Sequence, residues 1–231
     1  MKKIINITAI IIAIAMVSCG LIIDLNPRIA MNGSGKIIIY VTPMMVLFLN
    51  MIYQIKKSDN KDEKENIKKK MLAGIFIIYI VALATLLFLG STYRVGGGGN
   101  NESSVKLFSK IHFEHFSNLI PFKTIISYIQ RLINGTINSN IVFINIVGNL
   151  IAFAPTGFFI PILFGERIKS LRKFTSLIAI TVLIVEIIQF ITFTGQLDVD
   201  DIILNTVGAV IVFLLIKTKI GKNILQKLFE Q

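Results

Sequence analysis

The chain has 231 residues, 54% of them hydrophobic and 16% charged, with a formal net charge of +11 and a mean hydropathy of +0.74. That hydropathy excludes an ordinary soluble domain, and the single cysteine excludes an internal disulfide. Nucleic acid is not needed to explain the positive charge, because basic loops on the inner face of a membrane account for it.

A bilayer core takes about 20 mostly apolar residues per helical crossing. Ile4–Ile23, Lys36–Ile55, Met71–Gly90, Ile141–Phe164, Phe174–Phe193 and Ile202–Ile216 are read as such crossings. Only helices or closed barrels satisfy the backbone in lipid. The expected fold is therefore all-α: a polytopic membrane helical bundle of six transmembrane helices with one interfacial amphipathic helix.

Within the first crossing, Ala15-Met16-Val17-Ser18-Cys19-Gly20 resembles a lipoprotein cleavage box. The apolar run continues through Leu21-Ile22-Ile23, which suits a membrane span better. Asn26-Pro27 and Asn32-Gly33 mark the turn of an N-terminal two-helix hairpin over residues 1–56. Residues 57–70 mix both charges and read as a solvated cytoplasmic linker. Residues 71–231 form a four-span domain. Gly96–Gly99 with Asn100-Asn101 is a flexible linker, because no Lys-Ser/Thr follows it as a phosphate cradle requires. His112 and His115 lie three apart, yet nothing nearby completes a zinc set, and Phe113 and Phe116 place them at an interface. Phe122, Ile125, Ile126, Ile129 and Ile133 recur at helical spacing among polar residues. The spacing predicts an amphipathic surface helix with Pro121 in its first turn and Gly135 as its cap. Pro155 and Pro161 are expected to kink the fourth crossing. Gly195 suits a turn, and Gly208 close helix packing.

With the N-terminus inside, seventeen of the 24 basic residues fall on the cytoplasmic side. They are Lys2 and Lys3, the seven lysines of Lys56–Lys70, four in Gly165–Lys173 and four in the tail. Both termini are then cytoplasmic, and Asp198, Asp200 and Asp201 crown the sixth crossing at the outer face.

Polar groups inside a bilayer are costly, so each asks for a reason. Glu186 is the one acid well inside a crossing, with Gln189 on the same helix face. Asn145 and Asn149 share a face of the fourth crossing, as Asp201 and Asn205 share one of the sixth. At 1.5 Å per residue, Asn145, Asn149, Glu186, Gln189 and Asn205 lie within about 12 Å of the outer surface. The expectation is one polar pocket open to the outer leaflet and floored by apolar side chains. Interhelical hydrogen bonding worth about 1 kcal/mol per group is the competing account, weakest for an ionisable Glu186. One aspartate, Asp198 or Asp200, suffices to cap the sixth helix. Three point also to a divalent cation on Asp198, Asp200 and Asp201, or to a carboxylate pair for acid–base work.

Four blocks carry a resemblance: Asn118-Leu119-Ile120-Pro121-Phe122, Gly148-Asn149 through Pro155-Thr156-Gly157, Glu186-Ile187-Ile188-Gln189, and Asp198-Val199-Asp200-Asp201 through Asn205-Thr206-Val207-Gly208. In kind and order they resemble the VanZ-like family of bacterial membrane proteins, over roughly Met71 to Lys217. Members often carry a basic residue shortly before the aspartates, where this chain has Thr192-Phe193-Thr194-Gly195-Gln196. The resemblance implies a bacterial cell-envelope protein, linked through the family's namesake to resistance to the glycopeptide teicoplanin. It does not by itself imply an enzyme.

The function expected is binding of a lipid-linked or lipidated ligand at the outer leaflet. Asn118, Pro121, Asn145, Asn149, Glu186, Gln189, Asp198, Asp200, Asp201 and Asn205 are its pocket. The partners are membrane lipids, lipid-linked envelope precursors or lipoglycopeptides. A metal-assisted enzyme acting on a lipid phosphate is the first rival, disfavoured because no Lys, Arg or His clamp sits near the aspartates. A proton-coupled transporter using Glu186 is the second, disfavoured because the polar residues stop halfway through the membrane.

Overall fold

The computed structural model describes residues 2–26, 33–89, 117–168, 170–192 and 194–229. The tetraglycine stretch and the His112/His115 pair lie outside them. Among the described residues six helical segments are long and apolar enough to cross a membrane: Lys3–Leu25, Gly35–Lys56, Lys61–Phe88, Ser139–Phe164, Leu171–Ile191 and Val199–Lys217. The fold is nearly all-α, as the hydropathy pattern requires. The chain divides into two units, residues 1–90 with 219–231, and residues 91–218.

In the first unit, helix α2 (Gly33–Lys56) packs against both α1 (Lys2–Leu25) and α3 (Lys61–Phe88). Tyr40, Leu47 and Met51 of α2 recur at helical spacing and are buried with Leu72, Ile75 and Ile78 of α3. Polar groups also cross between these helices. Lys36 Nζ pairs with Asp24 Oδ1 at 2.9 Å, and Tyr40 Oη donates to Asp24 Oδ2 at 2.9 Å. Asn50 Nδ2 donates to Asn6 Oδ1 at 2.8 Å. Such bonds are worth about 1 kcal/mol each in a helical membrane bundle.

The charged stretch 57–70 departs from the expected linker: from Lys61 onward it is the first part of α3. The side chain of Asn60 accepts from the amides of Asp62 (2.8 Å) and Glu63 (3.4 Å), a helix N-cap. Asp62 and Glu63 stand in the first turn, where the helix dipole favours anions. Neither glycine nor proline interrupts Lys61–Lys70, and Glu65 pairs with Lys68 at 2.6 Å one turn on. Solvation of a charge run and helix formation are compatible, and here the cap selects the helix. The tail also forms a helix, α9 (Lys219–Phe229).

The second unit holds α4 (Lys123–Ile133), α5 (Ser139–Ala152), α6 (Thr156–Phe164), α7 (Leu171–Ile191) and α8 (Val199–Lys217). Helix α8 is its centre, packing against α5, α6 and α7. The fourth crossing is broken between α5 and α6. Pro155 has no amide to continue the ladder and its ring crowds the preceding turn, so the helix stops at Ala152 and resumes at Thr156. Two glycines let backbones meet at α8. A Cβ on Gly208 would lie 1.7 Å from the Leu150 carbonyl oxygen of α5, and one on Gly157 of α6 would lie 2.2 Å from that of Ala209. The close packing expected of Gly208 is therefore present.

The core between α7 and α8 follows from residue spacing. Phe174, Ile178 and Val182 fall four apart on α7 and are fully buried, with Ala209 and Phe213 on α8. The Phe174 and Phe213 rings stack with centroids 4.3 Å apart. Continued in the same register, the α7 stripe reaches Glu186 and then Gln189, both buried. On α8 the same face runs from Phe213 and Ala209 to Asn205 and Asp201. The apolar core thus turns polar at one end without leaving the helix interface.

Candidate functional site: a carboxylate cluster at the head of helix α8

At that end two short strands, β1 (Ser117–Asn118) and β2 (Leu197–Asp198), pair in parallel, Asn118 opposite Asp198. This pairing sets the starts of α4 and α8 side by side. Asp198 is the N-cap of α8, its Oδ1 accepting from the Asp200 amide at 2.8 Å. The same oxygen accepts from Asn118 Nδ2 at 2.9 Å, and Oδ2 accepts from the Thr124 hydroxyl at 2.6 Å. Asn118 Nδ2 also reaches Thr124 Oγ1 at 3.0 Å.

Asp200 performs the matching task for α4. Its side chain is fully buried. Its carboxylate accepts from the backbone amides of Phe122, of Thr124 at 2.8 Å and of Ile125 at 3.1 Å. These are orphan donors at the start of α4, and no side chain of α4 itself caps them. Phe122, with φ of 65°, sits in the left-handed region that brings its amide round to the carboxylate. Pro121, expected in the first helical turn, precedes the helix and is exposed. The other end of α4 closes as expected. Gly135 has φ of 67°, and Thr136 N–H donates to the Arg131 carbonyl at 2.9 Å across it. Helix α4 has no buried residue, and Ile126, Ile129, Leu132 and Ile133 are exposed, the composition of a helix resting in a membrane surface.

Asp201 faces the other way, into the helix interface. Asn149 of α5 donates its Nδ2 to Asp201 Oδ1. Asn205, one turn on, donates to the Asp201 carbonyl at 2.8 Å. Glu186 of α7 is 5% exposed and accepts a backbone hydrogen bond from Asp198. Among the described residues its Oε2 has no hydrogen-bond partner, and neither has Asn205 Oδ1, on a residue 4% exposed. Among the described residues no lysine or arginine pairs with Glu186, Asp198, Asp200 or Asp201, and Lys123 and Arg131 are exposed. Gln189 is buried beside the turn that leads to β2, its carbonyl accepting from Thr194 N–H at 2.9 Å.

The structure therefore gathers Asn149, Glu186, Asp201 and Asn205 into one cluster and links it through consecutive α8 residues to Asn118, Asp198 and Asp200. Asn145 is not among these contacts: its Nδ2 returns to the Ile141 carbonyl of its own helix at 2.7 Å. Thr124 is the residue that sequence reasoning passed over. Its signal, a hydroxyl in the first turn of an amphipathic helix, gains meaning only once β1 and β2 are paired.

The aspartates do not fit the divalent cation expected on Asp198, Asp200 and Asp201. All four carboxylate oxygens of Asp198 and Asp200 already accept from N–H or O–H donors. Among the described residues no three His, Cys, Asp or Glu side chains form a group able to hold a metal ion.

No curated protein and no solved structure matches the chain. The family model of VanZ/LLP1 matches residues 76–221. That stretch is more than half of the chain, contains every residue of the cluster, and carries the four sequence blocks whose side chains meet at the head of α8. The chain belongs to the VanZ/LLP1 family.

Proposed function

We propose that this protein binds a lipid-linked or lipidated ligand at the outer leaflet of the bacterial membrane, and by doing so lowers susceptibility to lipoglycopeptides such as teicoplanin. The observation that carries the reading is the buried pair of unpartnered acceptors, Glu186 Oε2 and Asn205 Oδ1, at the polar end of the α7–α8 interface. A carboxylate placed there to hold helices together would have its oxygens satisfied within the bundle. The exposed isoleucines of α4 supply an apolar surface beside the cluster for an acyl or polyprenyl chain.

The test is genetic and direct. A deletion strain is compared with the same strain carrying the wild-type gene or the Glu186→Gln gene. The expected result is at least a fourfold fall in the teicoplanin concentration that inhibits the deletion strain, reversed by wild type and not by the variant. Equal inhibition of all three strains would remove the resistance part of the reading. An acyl-lipid binding assay on the purified protein then decides whether the ligand-binding part stands.

A further inference from the structure

The tail helix α9 (Lys219–Phe229) supplies nothing to the carboxylate cluster, and the family match ends near its start, at residue 221. We infer that α9 docks along the bilayer surface at which α8 ends, and that its partner there is anionic phospholipid. Only Thr218 separates α9 from the last crossing. Its backbone is extended, with φ of −66° and ψ of 162°, and its hydroxyl donates to the Leu215 carbonyl at 2.7 Å, so the α8 ladder stops there. The chain therefore enters α9 at the edge of the hydrocarbon, and its 11 residues extend about 16 Å from that point.

The order of residues in α9 suits a surface and not a crossing. At about 100° per residue, the positions of Ile220, Ile224, Leu225, Leu228 and Phe229 fall on one half of the helical circumference. Lys219, Lys222, Asn223, Gln226 and Lys227 fall on the other half, and all five are exposed. On the apolar half Ile220 is 72% exposed, a cost that shallow burial among acyl chains removes. The lysines select the lipid. Residues 217–229 carry four lysines and no acid, and acidic head groups offer the opposite charge in the same plane as the chains. A second copy of α9 would set lysine against lysine. A soluble polyanion would answer the lysines and leave the apolar half in water.

The experiment places the full-length protein in nanodiscs, open to solvent on both faces, of phosphatidylcholine alone or mixed with phosphatidylglycerol. A bimane is attached at Leu225→Cys on the apolar half or at Asn223→Cys on the polar half, each in a Cys19→Ser background. In the mixed discs acrylamide is expected to quench the Leu225 site at least fivefold less than the Asn223 site. A doxyl group on the acyl chains should quench the Leu225 site alone. Omitting phosphatidylglycerol should bring the acrylamide contrast below twofold, a comparison made on one protein and so independent of variant folding. Lys219→Gln, Lys222→Gln and Lys227→Gln together should do the same in the mixed discs. Equal acrylamide quenching at both sites in the mixed discs would overturn the docking. A contrast that persists in phosphatidylcholine alone would overturn the anionic partner. A contrast without doxyl quenching would mean that protein covers the apolar half, and would overturn the lipid.

Discussion

Asp200 accepts hydrogen bonds from three backbone amides at the start of α4. Replacing it with alanine leaves those part-buried donors unpaired, a loss of about 3 kcal/mol. Asp200→Ala should therefore lower the thermal unfolding midpoint in detergent clearly, and should open the chain near Lys123 to trypsin. Asp198→Ala removes the α8 cap and should cost about 1–2 kcal/mol in the same assay. Glu186 predicts the opposite sign. Its Oε2 has no hydrogen-bond partner among the described residues, so Glu186→Gln breaks no internal hydrogen bond of that atom. The variant should be as stable as the wild type or more so, while losing ligand. A fall in stability matching that of Asp200→Ala would mean that Glu186 is structural. The three aspartates were visible in the sequence as a group, and a cap was legible there as Asp198 or Asp200 without deciding between them. The role of Asp200 was not, because its partners lie 75 to 78 residues earlier in the chain.

Among the helices, the clearest lesson is the stripe on α7. Phe174, Ile178, Val182 and Glu186 recur every four residues, so the periodicity that marks the core also places the acid within it. That much of the site could be read before any coordinates. Asn145 and Asn149 show the limit. They share a helix face, but Asn149 meets Asp201 whereas Asn145 bonds its own backbone. Spacing gives a face, and only the neighbouring helix decides what that face touches. The charged run after Ser58 shows a second limit, since composition spoke for solvent and the cap at Asn60 spoke for helix. Asn60→Ala should cost about 1 kcal/mol and raise amide exchange over Lys61–Lys64 alone. Packing at α8 gives a sharper contrast. Gly208→Ala would set a methyl group against the Leu150 carbonyl and should destabilise the second unit by more than about 2 kcal/mol. Gly148→Ala finds its nearest atom at 4.0 Å and should be neutral, or stabilising by about 0.5–1 kcal/mol through helix propensity. Equal effects of the two would show that the close approach of α5 and α8 is not what the unit relies on.

For the molecule as a whole, the six apolar helices were legible from hydropathy to within about three residues at each end, except that the third begins at Lys61 and not at Met71, because lipid imposes one length and one composition on the apolar part alone. The orientation proposed from basic loops places α4 outside and the α3 entry inside. In a Cys19→Ser background, Ser127→Cys should react with a membrane-impermeant maleimide on intact cells, and Lys64→Cys only after permeabilisation. The reverse pattern would invert the topology and move the cluster to the cytoplasmic leaflet. The parallel pairing of β1 with β2 has one more consequence. Together with the Asp200 carboxylate it fastens one end of α4, while the cap at Gly135 leads the other end directly into α5. A surface helix held at both ends cannot drift with the lipids around it. Crowding or thinning of the leaflet around it would pull on its two attachments, and one of these is the first turn of α8. Affinity for the proposed ligand should accordingly follow membrane tension, a property that would set the protein apart from a binder whose site floats free of the bilayer.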